Sequence, residues 1–260
     1  MSKKQSRAVR EAGAQRAAER AAEIRRQHEA KERRRRTISV SVVVIGVLAA
    51  LLAIGWAWQS SRDTTGQATT PPAGVVDKYT LPYGADAAPV TVTVYEDFMC
   101  PYCGEFEAAS RSMFAKYVDQ GDVQVRYHVL SFLDRYSNGT QYSTRSMNAL
   151  GVVLDTAGPD VAKRFHDLLY ENQPEESTDG LSDDQLVDLA VKAGADRGEV
   201  EGPIDSLKYQ QWVVNATDAA SKAGVTGTPT VAVDGKFLPS LSTDQLVAAV
   251  QQRIDAKLAQ

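Results

Sequence analysis

The feature that most constrains the fold is a pair of cysteines between a strand and a helix. Residues 89–95 alternate Val and Thr, which predicts a strand with one buried face. Four residues later the chain reads Cys-Pro-Tyr-Cys, from Cys100 to Cys103. Apolar residues at helical spacing continue until Gly121 ends the helix. The cysteines are therefore predicted to lie where the chain passes from a strand into the first turn of a helix.

This position suits a reactive thiol. Unpaired backbone N–H groups and the helix dipole stabilise a thiolate on Cys100, and Pro101 fits the first turn because it needs no N–H. Cys103 lies one turn later, within disulfide reach and less exposed. As a staple this four-residue loop would contribute only about 2 kcal/mol, against about 4.7 kcal/mol for a 100-residue loop. The chain has two cysteines and three scattered histidines, so we expect a redox pair and neither a metal site nor a cofactor.

A lowered pKa at Cys100 would change the redox equilibrium of the cysteine pair more than the rate at which its thiol reacts. A fall from about 8.5 to about 5 raises the thiolate fraction at pH 7 roughly thirtyfold, but nucleophilicity falls by a similar factor. A stable thiolate favours the reduced pair, so the disulfide is easily transferred to substrate thiols. The pattern indicates an oxidant.

A second motif lies far downstream, at Gly-Thr-Pro-Thr with Thr228 and Pro229 at its centre. A short Val-rich strand and a turn at Asp234-Gly235 follow. Taken alone, Pro229 is also consistent with an ordinary trans proline that opens a strand. Together with the Cys-Pro-Tyr-Cys motif, the order resembles the thioredoxin superfamily. The resemblance implies that Pro229 is cis and faces the cysteines, with the backbone of Thr228 as an edge for an extended substrate segment.

The spacing between the two motifs indicates the branch of the superfamily. A strand over residues 123–130 is followed by about 80 residues, roughly 131–210, with predicted helices near 141–157, 159–171 and 182–194. Two further helices are predicted at 206–223 and 243–258, and capping boxes at Ser182 and Ser242 support two of the five. A thioredoxin fold with a helical insertion resembles the DsbA family over residues 76–260.

The resemblance implies an α/β thioredoxin fold with an inserted helical subdomain. It also implies roles for individual residues, by position in the two motifs. The catalytic set is Cys100, Cys103 and Pro229, and the substrate-binding set is Pro101, Tyr102 and Thr228. The chain departs from the best-known DsbA pattern in having Tyr102 where histidine is usual, which removes one cationic stabiliser of the thiolate, and in having Thr228 before the proline.

Two acidic residues, Glu96 and Asp97, stand just before the motif. One of them is a candidate buried acid that moves the proton of Cys103. Alternatively, both are solvated carboxylates at the end of a strand. Strand alternation favours Asp97, since it would share a face with Tyr95.

The N-terminal part of the chain predicts a membrane anchor. Residues 38–58 carry no charge over 21 positions, enough to span a bilayer core of about 30 Å. Residues 1–36 hold 13 Lys and Arg against five Glu, a net charge of +8, whereas residues 37–260 have a net charge of −12. The positive side stays in the cytoplasm. A buried core helix or a cleaved signal peptide would be the alternatives, but the long basic segment favours an uncleaved anchor.

The predicted organisation is a basic cytoplasmic arm (1–36), a transmembrane signal anchor (37–58) that contacts membrane lipid, a flexible linker (59–75) and the extracytoplasmic domain (76–260). The predicted function is oxidation of thiols in exported proteins, with a quinone-linked membrane protein as reoxidant, as in DsbA-like systems. A disulfide reductase or isomerase of the same fold, or a non-catalytic membrane-tethered binding module, are the alternatives. No nucleic-acid partner is expected, because the basic arm lacks aromatic residues and a binding fold.

Overall fold

The structure is a computed structural model that describes residues 66–260. In that range five strands and seven α-helices form the fold, together with one 3₁₀ turn at Asp134–Tyr136. The strands are β1 (Leu81–Tyr83), β2 (Val90–Glu96), β3 (Val123–Val129), β4 (Thr230–Val233) and β5 (Lys236–Phe237). The helices are α1 (Pro101–Asp119), α2 (Tyr142–Ala157), α3 (Pro159–Glu171), α4 (Asp183–Ala193), α5 (Arg197–Asp205), α6 (Gln210–Lys222) and α7 (Thr243–Leu258).

The strands form one sheet in the order β1-β3-β2-β4-β5. β2 and β3 are parallel and are joined by α1, because a parallel pair needs a crossover connection. β4 runs antiparallel to β2, with Thr230 opposite Tyr95. This register brings Pro229, just before β4, beside the end of β2 that leads to Cys100. The two sequence motifs therefore meet at the same end of the neighbouring strands β2 and β4.

The two faces of the sheet carry different helices. Val92, Val94 and Glu96 are buried on one face of β2, where α1 and α3 pack. The other face carries Tyr95 and His128, and there His128 Nε2 lies 3.1 Å from the carbonyl oxygen of Ala216 in α6. α7 contacts α1, β2 and β4. The core is a sheet between helical layers, which confirms the predicted α/β fold with a helical insertion.

The insertion between β3 and α6 has four helices where the sequence predicts three. α5 was not predicted, since it contains Gly198, Gly202 and Pro203, which all disfavour helix. Its buried Val200 and Ile204 supply the packing that overrides this preference. The predicted helix at 206–223 begins only at Gln210, because residues 206–209 form turns. The capping boxes at Ser182 and Ser242 are present.

The hairpin turn at Asp234-Gly235 is confirmed. Both residues have positive φ, 47° and 72°, as a tight two-residue hairpin between β4 and β5 requires. The Asp234 carboxylate also accepts a hydrogen bond from the backbone N–H of Thr91, 3.0 Å away. The turn thus ties the β4–β5 hairpin to the start of β2.

Part of the predicted linker is bound to the domain. Gly66 N–H donates to Asn215 Oδ1 at 2.9 Å, and the Asn215 amide donates to the Gln67 carbonyl at 2.7 Å. Ala73 N–H donates to Asp155 Oδ1 at 3.0 Å. These partners lie 82 to 149 residues further along the chain, so the polar composition of the segment gives no signal for them.

The basic arm at 1–36, the transmembrane segment at 37–58 and residues 59–65 of the linker lie outside the described residues. Among the helices within residues 66–260, none combines the length and the apolar character needed to cross a bilayer.

Candidate active site

Cys100 lies at the start of α1 and faces the loop before β4. It is the N-cap residue, with Pro101 as the first helical residue. Its Sγ lies 3.4 Å from the carbonyl oxygen of Thr228, and the Thr228–Pro229 peptide bond is cis, as predicted. Cys103 lies one turn further, and its N–H donates to the Cys100 carbonyl at 3.0 Å. Both cysteines are free thiols.

The two thiols have opposite electrostatic environments. A hydrogen bond from the Cys103 thiol is the main factor that lowers the pKa of Cys100, while burial acts in the opposite direction. Burial raises the pKa of Cys103 well above its ordinary range, and the neighbouring Cys100 and Glu96 raise it further. Cys100 is therefore the thiol that ionises first, and Cys103 holds its proton.

Both acidic residues before the motif are buried, so the interpretation of these residues as solvated carboxylates is wrong. Asp97 Oδ1 accepts from Ser143 Oγ at 2.6 Å and from Met99 N–H at 2.9 Å, and Oδ2 accepts from Leu133 N–H at 3.0 Å. Burial raises the pKa of Asp97 to about 7 in spite of these donors. Strand alternation does not decide between the two acids, because β2 ends at Glu96 and Asp97 lies beyond it.

Glu96 belongs to a buried polar cluster beneath α1, made by Glu96, Glu107 and His166. Glu96 Oε1 lies 2.5 Å from His166 Nε2, and all three side chains are fully buried. Burial alone would lower the pKa of His166, but the Glu96 carboxylate raises it to about 9. Glu107 has no hydrogen-bond partner at either oxygen, and burial raises its pKa to about 8. The cluster thus holds ionisable protons close to Cys103.

Sequence reasoning missed Glu107 and His166. Glu107 was detectable, because it falls on the buried stripe of α1 that also carries Cys103, Phe106 and Phe114. A charged residue at such a position is a signal for a buried polar site. His166 gave no such signal, since its partner Glu96 lies 70 residues earlier and only the packing of α3 on the sheet joins them.

The same cluster is the set of side chains best placed to hold a metal ion among the described residues. One ligand atom from each of its three side chains lies within 4.8 Å of the other two. However, His166 Nε2 already bonds directly to Glu96 at 2.5 Å, and a metal would have to replace that hydrogen bond. The protonated groups described above suit proton storage better than the coordination of a cation.

Two surface depressions adjoin each other beside the thiol, and one of them is lined by Cys100 itself. One has a volume of about 500 Å³ and is lined by Tyr102, residues 226–231 and the chain before α7. The other, of about 570 Å³, is lined by Cys100, Tyr102, Phe132, Arg135 and Glu176. Tyr102 is 64% exposed, and Tyr102 and Thr228 line both depressions. These two residues therefore lie at the junction of the two depressions, next to Cys100.

Comparison with known proteins gives consistent results. The family model described as thioredoxin matches residues 77–252. The solved structure of the disulfide bond oxidoreductase DsbG from Mycobacterium tuberculosis is 30% identical, with a TM-score of 0.58, and the match covers 69% of this chain and 92% of that one. The reduced DsbA structure from the same organism is 29% identical, with a TM-score of 0.57 and coverage of 69% and 98%.

A curated relative, the serine/threonine-protein kinase PknE of Mycobacterium tuberculosis, is 30% identical over 154 residues. These residues are 57% of this chain but only 27% of the kinase, so the chain spans about a quarter of that relative's length. The family model, by contrast, covers well over half of this chain, including both cysteines and Pro229. The chain therefore belongs to the thioredoxin superfamily, within its DsbA-like group of thiol:disulfide oxidoreductases.

Proposed function

We propose that the protein is an extracytoplasmic oxidase that forms disulfides in exported proteins through Cys100 and Cys103. The observation that carries this proposal is the unequal thiol pair. Cys100 is at the helix N-terminus with a lowered pKa, and Cys103 is buried with a raised one. Such a pair gives a good leaving group toward substrate and a resolving thiol that keeps its proton. The relatives named DsbA and DsbG support the same class of reaction.

In the oxidised protein the reaction starts from a Cys100–Cys103 disulfide. A substrate thiolate attacks the Cys100 sulfur, the bond between the two cysteines breaks, and Cys103 leaves as a thiolate. Cys103 then takes up a proton. A second substrate thiolate attacks the substrate sulfur of the mixed disulfide, and Cys100 leaves as a thiolate. Two electrons have passed to the pair, which a quinone-linked membrane protein would then reoxidise.

We propose that the buried acidic residues before the motif transfer the proton that Cys103 takes up. Glu96 raises the pKa of Cys103 directly, whereas the Asp97 carboxylate already accepts three hydrogen bonds. Glu96 is therefore the better candidate to relay a proton to Cys103 from His166, which keeps its proton up to pH about 9. Asp97 holds the loop that carries Met99 and Cys100. For substrate, Thr228 offers its backbone beside Cys100, and Tyr102 and Pro101 form the exposed surface over the thiol.

The direction of the reaction can be tested by the reduction potential. We expect equilibration with glutathione to give a value close to the about −120 mV of a strong oxidant. The physical reason is that a stabilised Cys100 thiolate favours the reduced pair. A value near about −270 mV, the range of thioredoxin, would contradict the oxidase and support a reductase.

The location can be tested by thiol labelling in intact cells. The predicted anchor at 37–58, with the basic arm at 1–36 before it, supports a location of the domain outside the cytoplasm. After intact cells are treated with a reductant that cannot cross the membrane, a maleimide that is also excluded by the membrane should label Cys100. Cys100→Ser should remove the signal because Cys103 is buried and protonated. Labelling that appears only after lysis would place the domain in the cytoplasm.

A further inference from the structure

One side chain of the helical insertion holds the carbonyl groups of the active-site loop. Gln173 lies two residues after α3, and its Nε2 donates to the Cys100 carbonyl at 2.9 Å and to the Phe98 carbonyl at 3.0 Å. The two N–H groups of the amide thus donate to the carbonyl groups of two residues in one loop. The Cys100 carbonyl also accepts from the N–H groups of Cys103 and Gly104. Gln173 therefore supplies the only side-chain donor that reaches this carbonyl among the described residues.

The carbonyl oxygen of the same amide explains why residue 104 in α1 is a glycine. A Cβ atom built on Gly104 would lie 3.2 Å from Gln173 Cδ and only 2.3 Å from its Oε1, so the Gln173 amide would have to move away from its two carbonyl partners. Gly104 is in the first turns of the helix, where Ala is normally the better residue. Its φ is not positive, so no backbone conformation requires a glycine here. The space that the missing side chain leaves is filled by the Gln173 amide.

We infer that Gln173 is a positioning residue for the reactive thiol, and that Gly104 is required to admit its side chain. The inference rests on the proposed function and assigns a role to a residue that touches neither sulfur. One amide N–H offsets the negative end of the carbonyl dipole of Cys100, the residue that carries the thiolate, and the other binds the Phe98 carbonyl. They also fix the first turn of α1, whose N–H groups stabilise the thiolate.

The test uses Gln173→Met, which keeps the length of the side chain but removes both donors. The pH profile of Cys100 alkylation, measured in the full chain with Cys103 replaced by Ser, reports the thiolate directly. We expect the apparent pKa of Cys100 to rise by about half to one unit, so that alkylation below the pKa slows about three- to tenfold. With both cysteines present, the equilibrium with glutathione should shift by a similar factor, where tenfold corresponds to about 30 mV.

The matched control is Asn172→Ala, one residue earlier. The Asn172 amide donates only to the Leu168 carbonyl within α3 and is exposed. This variant should leave the alkylation profile unchanged. A Gln173→Met protein with the wild-type profile would overturn the inference. Alkylation reports the thiol itself, so this result is separate from failure of the proposed oxidase function, which the reduction potential tests.

Gly104→Ala supplies a second test that does not depend on Gln173→Met folding. In the wild-type background the new methyl group should displace the Gln173 amide, lower the melting temperature and raise the pKa of Cys100. In a Gln173→Ala background the same change should raise the melting temperature, because the clash is gone and Ala favours the helix. In that background Gly104→Ala should not raise the pKa of Cys100 any further. Independent, additive effects of the two substitutions would contradict the inference.

Discussion

Replacing Cys100 by Ala is expected to abolish dithiol–disulfide exchange, whereas replacing Cys103 by Ser should trap substrate on Cys100. The remaining thiol of the Cys100→Ala protein is Cys103, which is 1% exposed in the wild type, and burial together with Glu96 still raises its pKa when Cys100 is absent. Almost none of it is thiolate at pH 7, so exchange with a reduced unfolded protein should fall by at least about a hundredfold. The measurement is the rate of disulfide formation in that substrate.

The Cys103→Ser protein keeps the reactive thiol but lacks the group that resolves a mixed disulfide. Cells that express it should accumulate adducts that are visible on non-reducing gels and disappear on reduction. The double variant, with both cysteines replaced, is the matched control and should show none. Adducts on Cys103 of the Cys100→Ala protein would reverse the assigned order of the thiols. If no variant forms adducts, the binding-module alternative gains support.

Glu107→Gln is expected to remove much of the pH dependence of stability. The folded protein keeps the Glu107 proton up to pH about 8, whereas the unfolded chain loses it near the ordinary value of 4.5. Between these values the unfolded state binds fewer protons, so the free energy of unfolding falls by about 1.4 kcal/mol per pH unit for this one group. The loss is complete once the pH has risen through the folded-state pKa.

Two neighbours contribute in the same direction. The raised pKa of Asp97, about 7, removes stability between pH 4 and 7, and the raised pKa of His166, about 9, removes stability between about 6.5 and 9. The reduced wild-type protein should therefore lose stability steadily from pH 5 to pH 8. A neutral Gln at position 107 cannot ionise, so the variant should match the wild type near pH 4. By pH 8 it should be more stable by up to about 4 kcal/mol.

Chemical denaturation of the reduced proteins at several pH values measures this difference. Glu105→Gln is the matched control, since Glu105 lies on the same helix but is exposed. It should leave the slope of the wild type unchanged. Parallel curves for Glu107→Gln and the wild type would show that Glu107 is ionised in the folded protein at neutral pH, and would remove it from the proposed proton store.

The sequence alone was sufficient for features that depend on neighbouring residues. The alternation of Val and Thr predicted β2, and the spacing of apolar residues predicted α1, because each is a periodic pattern with one buried face. The capping boxes placed the starts of α4 and α7 within one residue. The position of Cys100 at a helix N-terminus and the cis bond before Pro229 were also predicted, the second by family resemblance.

The tertiary structure decided what lies around the thiols. Glu96 and Asp97 are adjacent in the chain, yet one pairs with His166 of α3 and the other with Ser143 of α2. The burial that raises the pKa of Glu107 and the contact of Gln173 with the Cys100 carbonyl have the same cause, which is the way the insertion packs on the sheet. Periodicity reports which face of an element is buried, but it does not report which distant element covers that face. The pKa of a buried group depends on which distant element covers it.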